Sequence, residues 1–225
     1  MTSRRIFLIL FLVDSAINLA GNLLGIQILM AVSKPLIAPF LAGYYVASSV
    51  PYRSIPLMMA LLASWIGDVS LMFVGYSQAW FMAGLAAFLI GHIFFIISYR
   101  QFRWESDENG LMPVQKIRFS LPVVLAGTGL IVILYPALDG LKFPVVIYAV
   151  AIIVMVMNAI FRFGRTNPKS FWFVLIGAIL FMASDSILAI NKFVGAIKMG
   201  GVWIMLTYIA AQFLIVEGLS SHRDS

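Results

Sequence analysis

The chain of 225 residues contains no cysteine and only two histidines. The lack of cysteine excludes disulfide bonds, thiolate metal ligands and a cysteine nucleophile. Two histidines are too few for a histidine-rich metal site. The sequence also lacks the nucleophile elbow, the paired-histidine zinc motif and the phosphate-binding loop of soluble enzymes. Any chemistry must therefore depend on other side chains.

Charged residues are scarce as well. They make up 11% of the chain, whereas hydrophobic residues make up 62%. Soluble domains contain about 25% charged residues, and a soluble fold of this length cannot bury so much apolar surface. The net charge of +6 comes from basic residues in short segments between apolar runs. That pattern is typical of membrane orientation rather than nucleic-acid binding.

Apolar runs long enough to cross a bilayer, about 20 residues each, occur eight times. The predicted spans are 5–27, 34–51, 56–75, 79–99, 118–136, 142–162, 170–190 and 200–219. The predicted breaks include Ser33-Lys34-Pro35, Pro51-Tyr52-Arg53, Gly75–Gln78, Asp139-Gly140 and Thr166-Asn167-Pro168. The start of the chain resembles a signal peptide but lacks a small-residue cleavage site, so we interpret it as a retained first span. The predicted fold class is an all-α polytopic membrane protein with one integral domain over residues 1–225.

The basic residues predict the orientation of these spans. One side holds eleven of the fifteen lysines and arginines, and the other side holds Lys34, Lys142, Lys192 and Lys198. The positive-inside rule then places both termini in the cytoplasm, and the even number of spans independently puts both termini on one side. We expect the plasma (inner) membrane as the location.

Two segments of the chain resemble each other. Ser64–Met72 lies in the third predicted span and Ala183–Ala189 in the seventh. Each contains an aspartate, Asp68 or Asp185, followed three residues later by a leucine. This similarity predicts two four-helix halves, 1–99 and 118–225, with a functional site between them.

Asp68 and Asp185 are the strongest candidates for chemistry. An ionisable group at bilayer depth costs about 2.5–3.5 kcal/mol on insertion scales, so it persists where it faces a bundle interior or a wet cavity. The structural interpretation is a polar contact that caps or pairs a helix. The functional interpretation is a pair of carboxylates on adjoining faces, which favours one protonated acid beside one ionised base.

Other polar groups could line the same cavity. Asp14, Asn18 and Asn22 recur every four residues, and they could form either an interhelical hydrogen-bonding seam or a cavity wall. His92 lies in an aromatic helix and could be structural or a reserve proton carrier. Tyr208 and Gln212 share a helix face. Two lysines near span ends, Lys34 and Lys192, could reach the headgroups or bind a phosphate, and Lys34 could also pair with an aspartate.

Five segments keep a specific order and spacing along the chain. They are Lys34-Pro35-Leu36, Gly67–Met72, Gly84 through Phe88 to His92, Gly177–Ala189 continuing to Asn191-Lys192-Phe193, and Tyr208–Gln212. Together they resemble the YhhN family of transmembrane lysoplasmalogenases. The resemblance covers most of the chain from the second span onward. Phe95 stands where the family pattern leads us to expect tyrosine.

The resemblance implies an enzyme that hydrolyses the vinyl ether bond of lysoplasmalogens. Its products are a fatty aldehyde and glycerophosphocholine or glycerophosphoethanolamine. It implies no metal or organic cofactor, and it implies Asp68 and Asp185 as catalytic residues. The predicted substrate-binding residues are Lys34, His92, Asn191, Lys192, Tyr208, Gln212, Asp14 and Asn18.

The residue types suit this chemistry. Protonation of a vinyl ether carbon gives an oxocarbenium ion, and glycosidases handle a similar cation with two carboxyl groups. The expected partners are a lysophospholipid substrate and membrane lipids, with no nucleic acid and no obligate protein partner. Two other classes stay open at this point, an ion-coupled transporter and a non-catalytic lipid-binding protein.

Overall fold

The computed structural model describes residues 3–48, 53–106 and 108–222. Pro51 and Tyr52 of a predicted break, and Arg223, one of the eleven basic residues predicted on the cytoplasmic side, lie outside these ranges. The described residues contain eight α-helices and no strand. They are α1 (Ser3–Leu24), α2 (Gln27–Val46), α3 (Ile55–Met72), α4 (Gln78–Gln101), α5 (Pro113–Leu134), α6 (Lys142–Ile160), α7 (Pro168–Phe193) and α8 (Gly200–Ser220). Each is long and apolar enough to cross a membrane, which confirms the predicted all-α polytopic class.

Local sequence signals explain several helix starts. Ser54 caps α3 by accepting a hydrogen bond from the Leu57 amide at 3.2 Å. Asn167 caps α7 in the same way by accepting from the Ser170 amide at 2.8 Å, and Pro168 occupies the first helical position. The predicted break at Thr166-Asn167-Pro168 is therefore confirmed, and its cause is a capped helix start.

The break between the first two spans was predicted in the wrong place. The chain turns at Gly25, whose φ of +70° lies in the left-handed region that glycine adopts without strain. The predicted break at Ser33-Lys34-Pro35 lies inside α2 instead. Lys34 is seven residues past the start of α2, about 10 Å along its axis. It is therefore a residue of the helix interior, and the predicted span of 34–51 is corrected to Gln27–Val46.

Two prolines inside α2 remove backbone donors from the helix. Residue 39 is proline, so it has no N–H to offer the carbonyl of Pro35 four residues earlier. The indole Nε1 of Trp65 on α3 donates to that carbonyl instead, at 2.9 Å. In a membrane an unsatisfied carbonyl is costly, and donors from a neighbouring helix make such prolines tolerable. This hydrogen bond ties α2 to α3.

The chain divides into two compact units, Met1–Phe95 and Ile96–Ser225. In the first unit, glycines permit close helix packing. A Cβ at Gly67 of α3 would lie 2.6 Å from the Phe88 ring of α4, and one at Gly43 of α2 would lie 2.4 Å from the Phe7 ring of α1. The space that a side chain would need is thus filled by an aromatic ring, as small residues allow in membrane helix pairs.

The second unit uses the same device between α7 and α8. A Cβ at Gly177 would lie 2.8 Å from Ile215, and a Cβ at Gly218 would lie 2.8 Å from Val174. These two glycines face each other's helices along one seam. Their contacts hold α7, which carries Asp185, in close packing against α8.

A buried arginine fixes the loop that follows α4. Arg162 is fully buried and donates to the carbonyl of Phe102 at 2.8 Å and to the Ser170 hydroxyl at 2.7 Å. Burial lowers the pKa of its guanidinium to about 9, which still leaves it charged at neutral pH. The guanidinium therefore joins the α4–α5 loop to the first turn of α7.

Candidate active site

Asp68 lies near the end of α3 and pairs with Lys34 of α2. Its side chain is 4% exposed, and its Oδ1 lies 3.9 Å from Nζ of Lys34. Gly67 beside it lets Phe88 pack closely, which closes that side of α3. The Lys34 side chain keeps 20% of its surface exposed. The pair therefore combines a buried carboxylate with a cation that is still accessible, and the predicted Lys34–aspartate contact is present.

A polar seam between α1 and α2 adjoins Lys34. Asn18 donates to the hydroxyl of Ser33, the residue before Lys34, at 2.9 Å. Asn22 donates to the side-chain oxygen of Asn18 at 3.1 Å. These contacts fit the interhelical seam, the structural interpretation of the stripe.

Asp14 continues this stripe one turn deeper in the helix. It is 6% exposed, and its Oδ2 has no hydrogen-bond partner among the residues that the structure describes. The Asp14 carboxyl is therefore buried and incompletely hydrogen-bonded. Its role in substrate binding stays a prediction. His92 of α4 is fully buried, and its predicted role is likewise untested.

Asp185 of α7 is held by a residue that the sequence analysis missed. The hydroxyl of Tyr148 on α6 donates to Oδ2 of Asp185 at 2.5 Å. Both side chains are half-buried. Most tyrosines and tryptophans of the chain lie near span ends, which suggests interfacial anchors. Tyr148 differs because it lies six residues inside α6, among apolar neighbours. That depth is the signal that could have identified it.

Tyr208 and Gln212 of α8 extend this second cluster. Both are buried, and Nε2 of Gln212 donates to the Tyr208 hydroxyl at 3.2 Å. The Tyr208 ring stacks edge-on against Phe181 of α7, with 5.5 Å between centroids. Tyr208 therefore packs against α7, the helix that carries Asp185, and Asp185 contacts Tyr148 of α6.

Asn191 and Lys192 lie at the end of α7. Oδ1 of Asn191 accepts a hydrogen bond from the Ile197 amide at 2.8 Å. This contact stabilises the turn before α8, and it gives Asn191 a structural function that its predicted role in substrate binding did not include. Lys192 is exposed in the last turn of α7, where a cation complements the helix dipole. Its contact with a substrate stays a prediction.

Metal binding needs several ligands in one place. Within residues 3–48, 53–106 and 108–222, no three histidine, aspartate or glutamate side chains form a group that could hold a metal ion. Among the ionisable groups that the structure brings together are Lys34 with Asp68, and Tyr148 with Asp185. Both are pairs suited to proton transfer and charge stabilisation.

The fold and these pairs define a class, a polytopic membrane protein that holds two paired aspartates inside apolar helices. The model of the YhhN family matches residues 29–219, and the chain belongs to that family. The match begins near the start of α2 and ends one residue before the end of α8. It therefore contains both aspartates and the helices that contact them.

Curated relatives share the similarity over most of the chain. A protein of Mycobacterium bovis named lysoplasmalogenase is 31% identical over 207 residues, which is 91% of this chain and 75% of that protein. Human lysoplasmalogenase TMEM86B is 28% identical over 156 residues, 69% of this chain and 59% of its own length. Human lysoplasmalogenase TMEM86A is 28% identical over 173 residues, 75% of this chain and 66% of its own length. No solved structure matches the chain significantly.

Proposed function

We propose that this protein is a membrane-embedded lysoplasmalogenase, a hydrolase of the vinyl ether bond in alkenyl glycerophosphocholine or glycerophosphoethanolamine. The observation that carries the proposal is the pair of intramembrane aspartates, each contacted by a polar residue of the preceding helix, at 3.9 Å for Asp68 and 2.5 Å for Asp185. Such residues inside membrane helices mark functional sites by default. The names of the relatives support the same reaction.

The reaction needs one acid and one group that stabilises positive charge. A proton adds to the β-carbon of the vinyl ether, and the electron pair of the double bond forms the new C–H bond. The resulting oxocarbenium ion is attacked at the α-carbon by water, which loses a proton. The hemiacetal then collapses to a fatty aldehyde, and the glycerol oxygen leaves as a hydroxyl. General acid–base catalysis by positioned carboxyl groups contributes about 10²–10⁴-fold to such steps.

Asp68 suits the role of the ionised group. The Lys34 ammonium 3.9 Å away compensates a negative charge on this buried carboxylate. An ionised Asp68 would stabilise the oxocarbenium ion and accept the proton of the attacking water. Lys34 keeps some exposure, so it would also attract the phosphate of the substrate.

Asp185 suits the role of the acid. One carboxyl oxygen accepts the hydrogen bond from Tyr148, which leaves the other oxygen to carry a proton. The protonated carboxyl would deliver that proton to the β-carbon. Tyr148 would hold the carboxyl in one orientation while the proton is transferred.

This assignment requires that both aspartates reach one substrate. In glycosidases that use an attacking water directly, the two carboxyl groups stand about 6.5–9.5 Å apart, and the mechanism needs a comparable spacing. The chain has no cysteine, so an Asp68→Cys/Asp185→Cys variant carries only the two new thiols. A bifunctional thiol reagent of that length should link them within one chain. Failure to link, with both thiols shown to react singly, would end the shared-site proposal.

Detergent-solubilised protein separates this function from its alternatives. We expect purified protein in micelles to release aldehyde from an alkenyl lysolipid and to leave the acyl ester lysolipid intact. A transporter has no measurable activity without a sealed compartment, and a lipid-binding protein releases no product. Absence of aldehyde release from properly folded protein would contradict the proposed function.

We also propose that both termini face the cytoplasm and that the protein resides in the plasma (inner) membrane. The uneven distribution of lysine and arginine supports this orientation. A protease-cleavable tag at the carboxyl terminus should stay intact in right-side-out vesicles and be removed in inverted ones. The opposite result would reverse the orientation.

A further inference from the structure

An apolar groove runs between α2 and α3. Its volume is about 280 Å³. Its walls include Ala38, Pro39 and Ala42 of α2 and Met58, Leu62 and Trp65 of α3. Apart from the indole of Trp65, these side chains carry no polar atoms. Polar ligands would therefore gain nothing from this groove, whereas a hydrocarbon chain would be well matched to it.

Helical spacing places the Lys34–Asp68 pair next to one end of the groove. Lys34 lies one turn before Ala38 on the same face of α2, and Asp68 lies one turn after Trp65 on the same face of α3. Their contact at 3.9 Å therefore places two charged groups about one helical turn beyond the lining residues at that end of the groove. The whole surface is therefore amphipathic, with an apolar channel that leads to a charged end.

The wall of the groove on α3 is accessible from the side of the helix pair. Leu62 is 46% exposed and Trp65 is 36% exposed. Trp65 is held in place by its hydrogen bond to the Pro35 carbonyl, 2.9 Å long, at the point where the apolar and charged parts meet. An amphiphile in the membrane could therefore enter sideways without leaving the hydrocarbon layer.

We propose that this groove binds the single hydrocarbon chain of a lysolipid, with the charged head of the molecule at Lys34. The inference rests on the proposed function and deepens it, because it assigns the part of the site that selects chain length. Position 62 lies six residues before Asp68, about 9 Å along α3. An extended hydrocarbon chain advances about 1.2 Å per bond. Counted from Asp68, a hydrocarbon chain of about eight carbons therefore ends near Leu62, and a longer one must pass Leu62.

The protein offers two matched positions on α3 for the test. Leu62 lines the groove, whereas Ile66, one turn further along α3, does not, and both are 46% exposed. The test compares kcat/KM for a substrate whose hydrocarbon chain has about eighteen carbons with kcat/KM for a substrate whose chain has about eight. Leu62→Trp should lower the ratio of the first value to the second at least tenfold. Ile66→Trp should leave that ratio at the wild-type value. Equal ratios in the two variants would overturn the groove assignment.

A binding measurement makes the inference testable without turnover. A non-hydrolysable alkyl ether lysolipid with a diazirine in the middle of its chain should label peptides of α2 and α3 in the wild-type protein. Unlabelled lysolipid should compete, and a diacyl phospholipid should compete at least tenfold less well. Labelling should be lost in Leu62→Trp and kept in Ile66→Trp.

The outcomes separate the two proposals. Labelling of the groove without aldehyde release from any substrate would reject the proposed function and keep the groove as a lysolipid site. Aldehyde release with labelling elsewhere would reject the groove and keep the function. Equal competition by diacyl phospholipid would identify the occupant as ordinary bilayer lipid and overturn the inference. If Leu62→Trp does not fold, the labelling site in the wild-type protein decides.

Discussion

The two compact units hold their aspartates by contacts of the same arrangement but different chemistry. In each case the aspartate lies in the later helix of a pair, α3 or α7, and its partner lies in the helix before it, α2 or α6. The first partner is the Lys34 ammonium and the second is the Tyr148 hydroxyl. A cation strongly favours the ionised carboxylate, whereas a hydrogen bond from a neutral hydroxyl favours it less. The difference suggests one ionised and one protonatable group.

Loss of either carboxyl is the largest change that we expect. Asp68→Asn and Asp185→Asn should each reduce aldehyde release about 1,000-fold, because an amide neither carries the negative charge nor delivers the proton. Aldehyde release in micelles is the measurement, with monodispersity and Tm as checks on folding. Asp139→Asn is the control, since Asp139 is exposed and has a φ of +43° that asparagine accepts. Near-normal turnover in either aspartate variant would remove that residue from the mechanism.

Removal of the cation should have the next largest effect. Lys34→Met leaves the buried Asp68 carboxylate uncompensated, so we expect about 100-fold lower turnover, equivalent to about 2.7 kcal/mol in the barrier. Lys34→Arg keeps the charge and should retain most activity. Tm should fall in Lys34→Met and recover in Lys34→Met/Asp68→Asn, which no longer leaves an uncompensated charge at position 68. Additive effects of the two changes would show that the pair is not coupled.

Removal of the neutral partner should have a smaller effect. Tyr148→Phe deletes one hydroxyl and keeps the ring, so we expect about tenfold lower turnover, in line with about 1–3 kcal/mol for a hydrogen bond to a carboxyl group. Tyr45→Phe is the matched control, because the Tyr45 hydroxyl accepts a hydrogen bond from the Ser54 amide at 2.8 Å. The control should lower Tm but leave turnover unchanged. Equal losses in Lys34→Met and Tyr148→Phe would abolish the proposed contrast between the two centres.

The smallest effect is expected at Trp65. Trp65→Phe removes the donor to the Pro35 carbonyl, which should cost about 1 kcal/mol of stability and about twofold in turnover. Pro39→Ala restores a backbone N–H four residues after Pro35 and should rescue the Tm of Trp65→Phe. The measurement is thermal unfolding of the single and double variants. A double variant no more stable than Trp65→Phe would show that the carbonyl does not need this donor.

Composition and hydrophobic run length were enough to predict the eight helices and their order. The bounds failed where the physical signals conflict. Gly25 is a weak signal within an apolar stretch, whereas Pro35 and Pro39 indicate a break strongly. The break nevertheless falls at Gly25, because prolines are tolerated inside a membrane helix when a neighbour satisfies the freed carbonyl. That neighbour, Trp65, is distant in sequence and could not be inferred from α2 alone.

The candidate site was predictable in its charged members and less so in its neutral ones. Asp68, Asp185 and Lys34 are identifiable because a charge inside an apolar run is rare. Tyr148 was missed because tyrosine is common at membrane interfaces. The residue type therefore says little about function, and only the position of Tyr148 deep inside α6 indicates a role in the site. Asn191 was identified from the sequence, but its structural role was not. Its contact with the Ile197 amide arises from a turn, and the sequence pattern does not contain the geometry of that turn.

The hydrogen bond between Trp65 and the Pro35 carbonyl has a consequence for how this chain can change over generations. Proline at position 39 creates a demand that only a donor from elsewhere can meet, and tryptophan at position 65 meets it. An inherited substitution at one of these positions alters what is tolerated at the other. Positions 39 and 65 should therefore be replaced together when related sequences diverge, although 25 residues separate them in the chain.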